Sequence, residues 1–212
     1  MGQKVNAKGF RIGVNKNWES ICYVDKLNYA DNLAEDLKIR KYIQENLRSA
    51  GIVSTKIKKF MNKKLIEISV ARPGVVIGRG GSGIDQVNKD LARITKGKVE
   101  VKLYEVKKPE LSSKLIAENI SDQLVRRIVP KFAVSREMKS AQGAGGIKGI
   151  RIWISGRIKG VEIARTEKFQ WGSVPLQTLR ADIDYYQTDC LVPNAGLHGI
   201  KVWVYKGEKQ TI

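Results

Sequence analysis

A chain of 212 residues with 42% hydrophobic content can bury a core in one large domain or in two small ones. Lys and Arg number 39 against 21 Asp and Glu, and the formal charge of +18 calls for a polyanion, because each cation set on a phosphate releases condensed counterions. No apolar run reaches the length of a membrane span, and two separate cysteines (Cys22, Cys190) with one histidine (His198) offer neither a zinc site nor a disulfide framework in a chain that shows no secretory signal.

The first two dozen residues, MGQKVNAKGFRIGVNKNWESICYV, mix Gly, Asn and Lys with isolated apolar residues and read as an arm with little core of its own. From Tyr29 to Ala50 the spacing of Leu33, Leu37, Tyr42, Ile43 and Leu47 predicts a helix, with Asp31 to cap it and Gly51 to end it. Two strands follow, IVSTKIKKF and KLIEISV, joined around Asn62, and in the second Ile66, Ile68 and Val70 share a face until ARPG stops it. Ser82 to Thr95 reads as a helix with Ile84, Val87, Leu91 and Ile94 on one side, and Val99, Val101 and Leu103 mark the next strand.

VKKPEL is a hinge, after which Pro109 and Glu110 open a helix whose apolar stripe is Leu115, Ile116, Ile120, Leu124 and Ile128. A second helix is expected from Lys131 to about Ser140, ending in GAGG. The remainder is strand-like: Ile150, Ile152 and Ile154 alternate, then come VEIAR, TLRADIDYY and GIKVWVYKG. The expected class is α+β. Residues 1–37 form the arm and the start of the first helix, 38–106 a first domain and 107–212 a second. Basic residues outnumber acidic by 16 to six in 38–106 and by 18 to ten in 107–212, net +10 and +8, so both domains should touch the polyanion.

VVIGRGGSGI, residues 75–84, fits two phosphate-handling patterns. Gly78, Gly80 and Gly83 satisfy G-x-G-x-x-G, with Glu105 standing 22 residues on as a ribose-binding acid. Against a dinucleotide site, Pro73-Gly74 leaves only Val75 to Ile77 before the loop, and the later elements come in blocks that do not build a doubly wound sheet. A cofactor site also has no need of net +10. The alternative is Gly78-Arg79-Gly80-Gly81 as a G-x-x-G clamp. Its glycines would let a sugar-phosphate backbone lie against the main chain, Arg79 would add charge, and bases would rest on Ile77 and Ile84. A plain glycine turn is the bland reading of the same four residues. No cofactor is expected.

Asp182 and Asp184 in ADIDYY could suggest a metal-dependent nuclease, but Arg180 precedes them on the same face and no histidine or third carboxylate is placed with them. His198 is expected in a turn, and Trp153 and Trp203 alternate with apolar residues as packing groups do. No catalytic or metal-binding residue is assigned. Arg126, Arg127, Lys131 and Arg136 form a basic stretch over the end of one helix and the start of the next, for which a solvated charged face is the plain alternative.

The order helix, strand, strand, helix, helix, strand with ARPGVVIGRGG between strand and helix resembles a type II KH domain, and that string resembles the one in the family of small-subunit ribosomal protein three. The resemblance continues in MGQKVN, GFRIG, ADNLAEDLKIRKY and VKKPEL, and in the long strings SGRIKGVEIARTE, VPLQTLRADIDY and GIKVWVYKGE. It implies a structural protein of the small-subunit head in a cytoplasmic ribosome, or in an organellar one, whose second domain has two helices and a mainly antiparallel sheet. By the same resemblance, Lys4, Arg11, Arg157, Arg165 and Arg180 would contact ribosomal RNA. Arg126, Arg127, Lys131 and Arg136 would face incoming messenger RNA. Ribosomal proteins ten and fourteen would be neighbours, with four and five nearby at the entry channel. Phe132, Ser135 and Ser173 stand where basic residues are common in that family. A free KH-type messenger RNA regulator is the other reading, and it gives no reason for the C-terminal strings.

Overall fold

The computed structural model of the chain describes residues 4–60, 63–95 and 97–209. Asn62, about which a hairpin was expected to turn, lies outside them. Two compact units emerge: Trp18–Lys107, and the segment up to Asn17 together with the chain from Lys108 onward. Both are α+β.

The first unit runs β1 (Ser20–Ile21), α1 (Tyr29–Asn46), β2 (Ile52–Lys59), β3 (Lys63–Val70), α2 (Pro73–Ile77), α3 (Ser82–Ile94) and β4 (Lys98–Glu105). The sheet order is β1-β2-β3-β4; β2 and β3 are antiparallel, and the outer pairs are parallel. A parallel β3–β4 pair needs a crossover, which α2 and α3 supply. Alternation puts Ile66, Ile68 and Val70 of β3 inward against Val87 and Leu91 of α3 and Ile39 and Ile43 of α1.

Helix α1 departs from its expected stripe. Leu33 and Leu37 are 47% and 60% exposed, while Asp36 is buried. The cause is an ion pair: Lys59 Nζ lies 2.7 Å from Asp36 Oδ1 with both side chains nearly buried, and it also donates to the Asn32 carbonyl at 2.8 Å. Lys64 Nζ meets Glu35 Oε2 at 2.6 Å beside it. A polar network therefore faces the hairpin where the first half of the stripe was expected to do so.

The second unit contains α4 (Ser113–Val125), α5 (Pro130–Ala144), β5 (Gly149–Gly156), β6 (Arg165–Gly172), β7 (Ala181–Val192) and β8 (Gly196–Glu208). Its sheet is antiparallel throughout, ordered β6-β5-β8-β7. Ile150, Ile152 and Ile154 stand opposite Val204, Val202 and Ile200, and this face packs against Ile116, Ile120 and Leu124 of α4 and Val134 and Ala141 of α5. On the other face Trp203, Tyr205 and Ile183 cluster with Ala7 of the arm. Trp153 meets Trp203 edge to face, 5.1 Å between ring centroids.

Several local expectations shift in this unit. Helix α4 begins at Ser113 because the Ser113 amide donates to Asp184 Oδ2 at 3.0 Å, a cap supplied from β7; Pro109–Leu111 form only a 3-10 turn. Ile128 falls beyond the end of α4. Helix α5 continues to Ala144, carrying Gly143 within it. VEIA is not in a strand, which instead starts at Arg165. His198 lies within β8, buried and opposite Cys190, rather than in a turn.

The arm is fastened by Arg11, the largest change from the sequence reading. Its side chain is fully buried. All three guanidinium nitrogens donate to carbonyls: Nε to Ala181 at 2.9 Å, one terminal nitrogen to Ala7 at 2.9 Å, the other to Leu176 at 2.8 Å and Thr178 at 2.9 Å. Burial lowers its pKa, with Asp182 opposing that shift.

Candidate nucleic-acid interface

The glycine loop is built by the meeting of α2 and α3. Gly83 permits that meeting, since a Cβ there would lie 2.3 Å from the Val76 carbonyl oxygen. Gly80 is favoured for a different reason: its φ of 62° is left-handed, but a Cβ on it would meet nothing within 4 Å. The main chain there opens to solvent, and Arg79 beside it is exposed. Gly78 and Gly81 are also left-handed in φ, at 69° and 85°. The Ser82 hydroxyl donates to the Arg79 carbonyl at 3.0 Å and closes the turn onto α3.

Helix α3 is fixed in turn. Tyr42 of α1 donates its hydroxyl to Asp90 at 2.8 Å, and Gln86 donates to the same carboxylate at 3.0 Å. Burial, then the Asp90 hydrogen bond, push the Tyr42 pKa up to about 12. Next to the loop Val75 and Ile77 are 51% and 39% exposed, an apolar margin beside an open backbone and a cation. That combination suits an unpaired nucleic-acid strand, whose phosphates want amides and charge and whose bases want apolar surface.

The second cationic surface lies at the α4–α5 connection. Arg126, Arg127, Lys131 and Arg136 are all exposed there. Among the described residues, neither these four nor Arg79 has a carboxylate partner. Phe132, in the same ridge, is 70% exposed.

The remaining expected contacts are dispersed. Lys4 Nζ sits 4.1 Å from the Trp153 ring centroid and Lys168 Nζ 5.0 Å from it. Desolvation and the charges of Arg151 and Lys168 lower the Lys4 pKa. Arg157 is exposed and donates to the Val161 carbonyl at 3.0 Å; Arg165 pairs with Glu167 at 3.2 Å; Arg180 is exposed. Arg11 has no donor facing outward and presents no charge to a ligand. Sequence reading missed Arg151 and Lys168, although alternation through RIWISG places Arg151 on the Trp153 face and strand pairing sets Lys168 opposite Trp153.

The two carboxylates weighed as a nuclease pair are both engaged. Asp182 pairs with Lys16 at 2.6 Å and Lys209 at 3.2 Å, and Asp184 caps α4.

Comparison with known proteins agrees with this architecture. A KH domain family model matches residues 38–111, and one described as ribosomal protein S3, C-terminal domain, matches 120–204. The small ribosomal subunit protein uS3 of Pelagibacter ubique is 48% identical over 208 residues, 98% of this chain and 91% of that relative. Those of Desulforamulus reducens and Persephonella marina are each 47% identical, over 98% and 99% of this chain and 93% and 92% of theirs. They are structural ribosomal proteins and not enzymes, and with two matched domain models and nearly full-length similarity, the chain belongs to the uS3 family of the small ribosomal subunit.

Proposed function

We propose that this chain is anchored in the head of the small subunit by ribosomal RNA, and that the ridge of Arg126, Arg127, Lys131 and Arg136 lines the path of incoming messenger RNA. In the same reading Gly78 to Gly81 hold an unpaired RNA strand, and Lys4, Arg157, Arg165 and Arg180 contact ribosomal RNA on the second unit. Arg11 leaves that set because it is buried. Ribosomal proteins ten and fourteen are its neighbours, with four and five nearby at the entry channel, in a cytoplasmic or an organellar ribosome.

One observation carries the reading: an exposed arginine at the open glycine loop of one unit and an exposed basic ridge in the other, none of these cations with a carboxylate partner among the described residues. Unpaired exposed cations add little to a folded monomer, yet each one set on a phosphate gains affinity through counterion release. Phe132 offers a stacking face amid the cations of the ridge, so loss of a basic residue there need not weaken the hold on a strand. A free KH-type regulator would leave the match over 120–204 without a use.

Small subunits bearing Arg126→Glu with Lys131→Glu test the messenger assignment. Assembly should be normal, while an unstructured messenger should bind about tenfold more weakly at moderate salt. Equal messenger binding by fully assembled variant subunits would refute the assignment.

A further inference from the structure

The end of α4, the start of α5 and the β7–β8 turn enclose a half-open cavity of about 350 Å³ within the second unit. Its wall is largely apolar, including Leu124, Ile128, Val129 and Val192, with Asn194 and His198 as polar groups; its charged lining residues are Arg127 and Lys159, with no carboxylate. Ile128, which the sequence places in the apolar stripe of α4, and Val129 are each 38% exposed.

The backbone singles out this cavity. Among the described residues, the non-glycine positions with left-handed φ are Arg127 at 62°, Lys159 at 61° and Asn194 at 68°. All three line it. They come from three separate connections, and side chains adopt this conformation sparingly, so their convergence on one cavity marks a shaped site rather than a gap between elements.

The volume is at the low end of the ~300–1,000 Å³ typical of small-ligand pockets, which admits one planar group and not a helix. Wall and lining charge together ask for an apolar face joined to an anion. A single nucleotide supplies both, because its base and phosphate belong to one residue; a peptide would need an acidic and an apolar side chain at a set spacing. On the messenger reading of the basic ridge, of which Arg127 is a member, we propose that this cavity receives one unstacked base of incoming single-stranded messenger RNA, with Arg127 and Lys159 on the flanking phosphate. Taking a base out of its stack there would hold the strand at a fixed step independently of sequence.

The test uses whole small subunits and a single-stranded messenger substituted with 4-thiouridine. Irradiation of wild-type subunits should attach the label to peptides spanning 124–130 and 192–198. Ala195→Phe fills the cavity without altering charge and should cut that attachment about tenfold, as loss of one stacked base does. Lys159→Gln, at an exposed position, should cut it several-fold and covers the case in which the filled variant does not assemble. Label confined to the outer ridge, with both variants unaffected, overturns the cavity site. If Arg126→Glu with Lys131→Glu still weakens messenger binding in that case, the ridge assignment survives alone; if it does not, both fall. Attachment of the cavity to a neighbouring ribosomal protein, seen with a bifunctional protein cross-linker in place of the RNA label, would also overturn the proposal.

Discussion

Lys16 Nζ lies 2.6 Å from Asp182 Oδ1, so a cation of the arm is seated on a carboxylate of β7 that is 10% exposed. Burial by itself would raise the Asp182 pKa; hydrogen bonds and charge from Lys16 and Lys209 outweigh it, and the net shift is downward. A carboxyl whose folded pKa is depressed contributes stability above its unfolded value, ~3.9, and loses it as pH falls through the folded one. Asp182→Asn should therefore cost about 2 kcal/mol at pH 7. The difference in melting temperature between variant and parent should shrink steadily below about pH 4. A difference independent of pH would show that the ion pair contributes nothing.

Arg11→Lys separates anchoring from RNA contact. A lysine has one nitrogen where the guanidinium uses three, so carbonyls at Ala181, Leu176 or Thr178 lose their donor. Stability should drop by about 2–3 kcal/mol, while the salt dependence of RNA binding stays that of the parent. Arg180→Gln should do the opposite, with an unchanged melting curve and a shallower salt slope. Calorimetric unfolding and filter binding at several salt concentrations check both.

Asp36→Ala leaves Lys59 buried beside Glu35, 3.8 Å away, as its nearest remaining carboxylate. Loss of one member of such a pair costs about 3 kcal/mol or more. The expected outcome is early unfolding of the first unit, read by amide exchange in β2 and β3, with β5 and β8 still protected. Uniform exchange across both units would contradict it.

Arg79→Asp with Gly80→Asp sets two carboxylates at the open turn. Position 80 has room for a side chain, and Asp tolerates left-handed φ better than most residues, so the fold should hold. Affinity of the full chain for unstructured RNA should fall about tenfold, and the slope of log K against log salt should rise from roughly −3.5 by about one unit, as for losing one or two of about five phosphate contacts. Unaltered affinity in the folded variant would reduce GRGG to a turn.

Much of this was readable from residues. Period two in Ile150, Ile152 and Ile154 and the helical spacing of Val87 and Leu91 report burial directly, because a side chain's face is set by its own neighbours in sequence. The loop was legible for a similar reason, since positive φ is a local demand that glycine answers. Arg11, Asp36 and the start of α4 were not legible. Each is decided by a partner distant in sequence: all but one of the Arg11 acceptors lie near 175–181, Asp36 answers Lys59, and the cap of α4 is Asp184. The cavity at Arg127 was invisible for the same reason, being assembled from three connections.

That Lys16 and Lys209 meet on one carboxylate has a consequence for biosynthesis. The second unit is discontinuous, with Trp18–Lys107 inserted whole between its pieces. During translation the inserted unit can fold as soon as it emerges, but β8, which lies between β5 and β7, is made last. The distant acceptors of Arg11, Leu176 to Ala181, come only shortly before it, and the sheet face that receives Ala7 is incomplete until Trp203 and Tyr205 are made, so residues 4–17 must wait through most of synthesis without their docking surface. A strongly basic segment held open for that interval is available to a nascent-chain chaperone or to RNA before the protein that will enclose it exists.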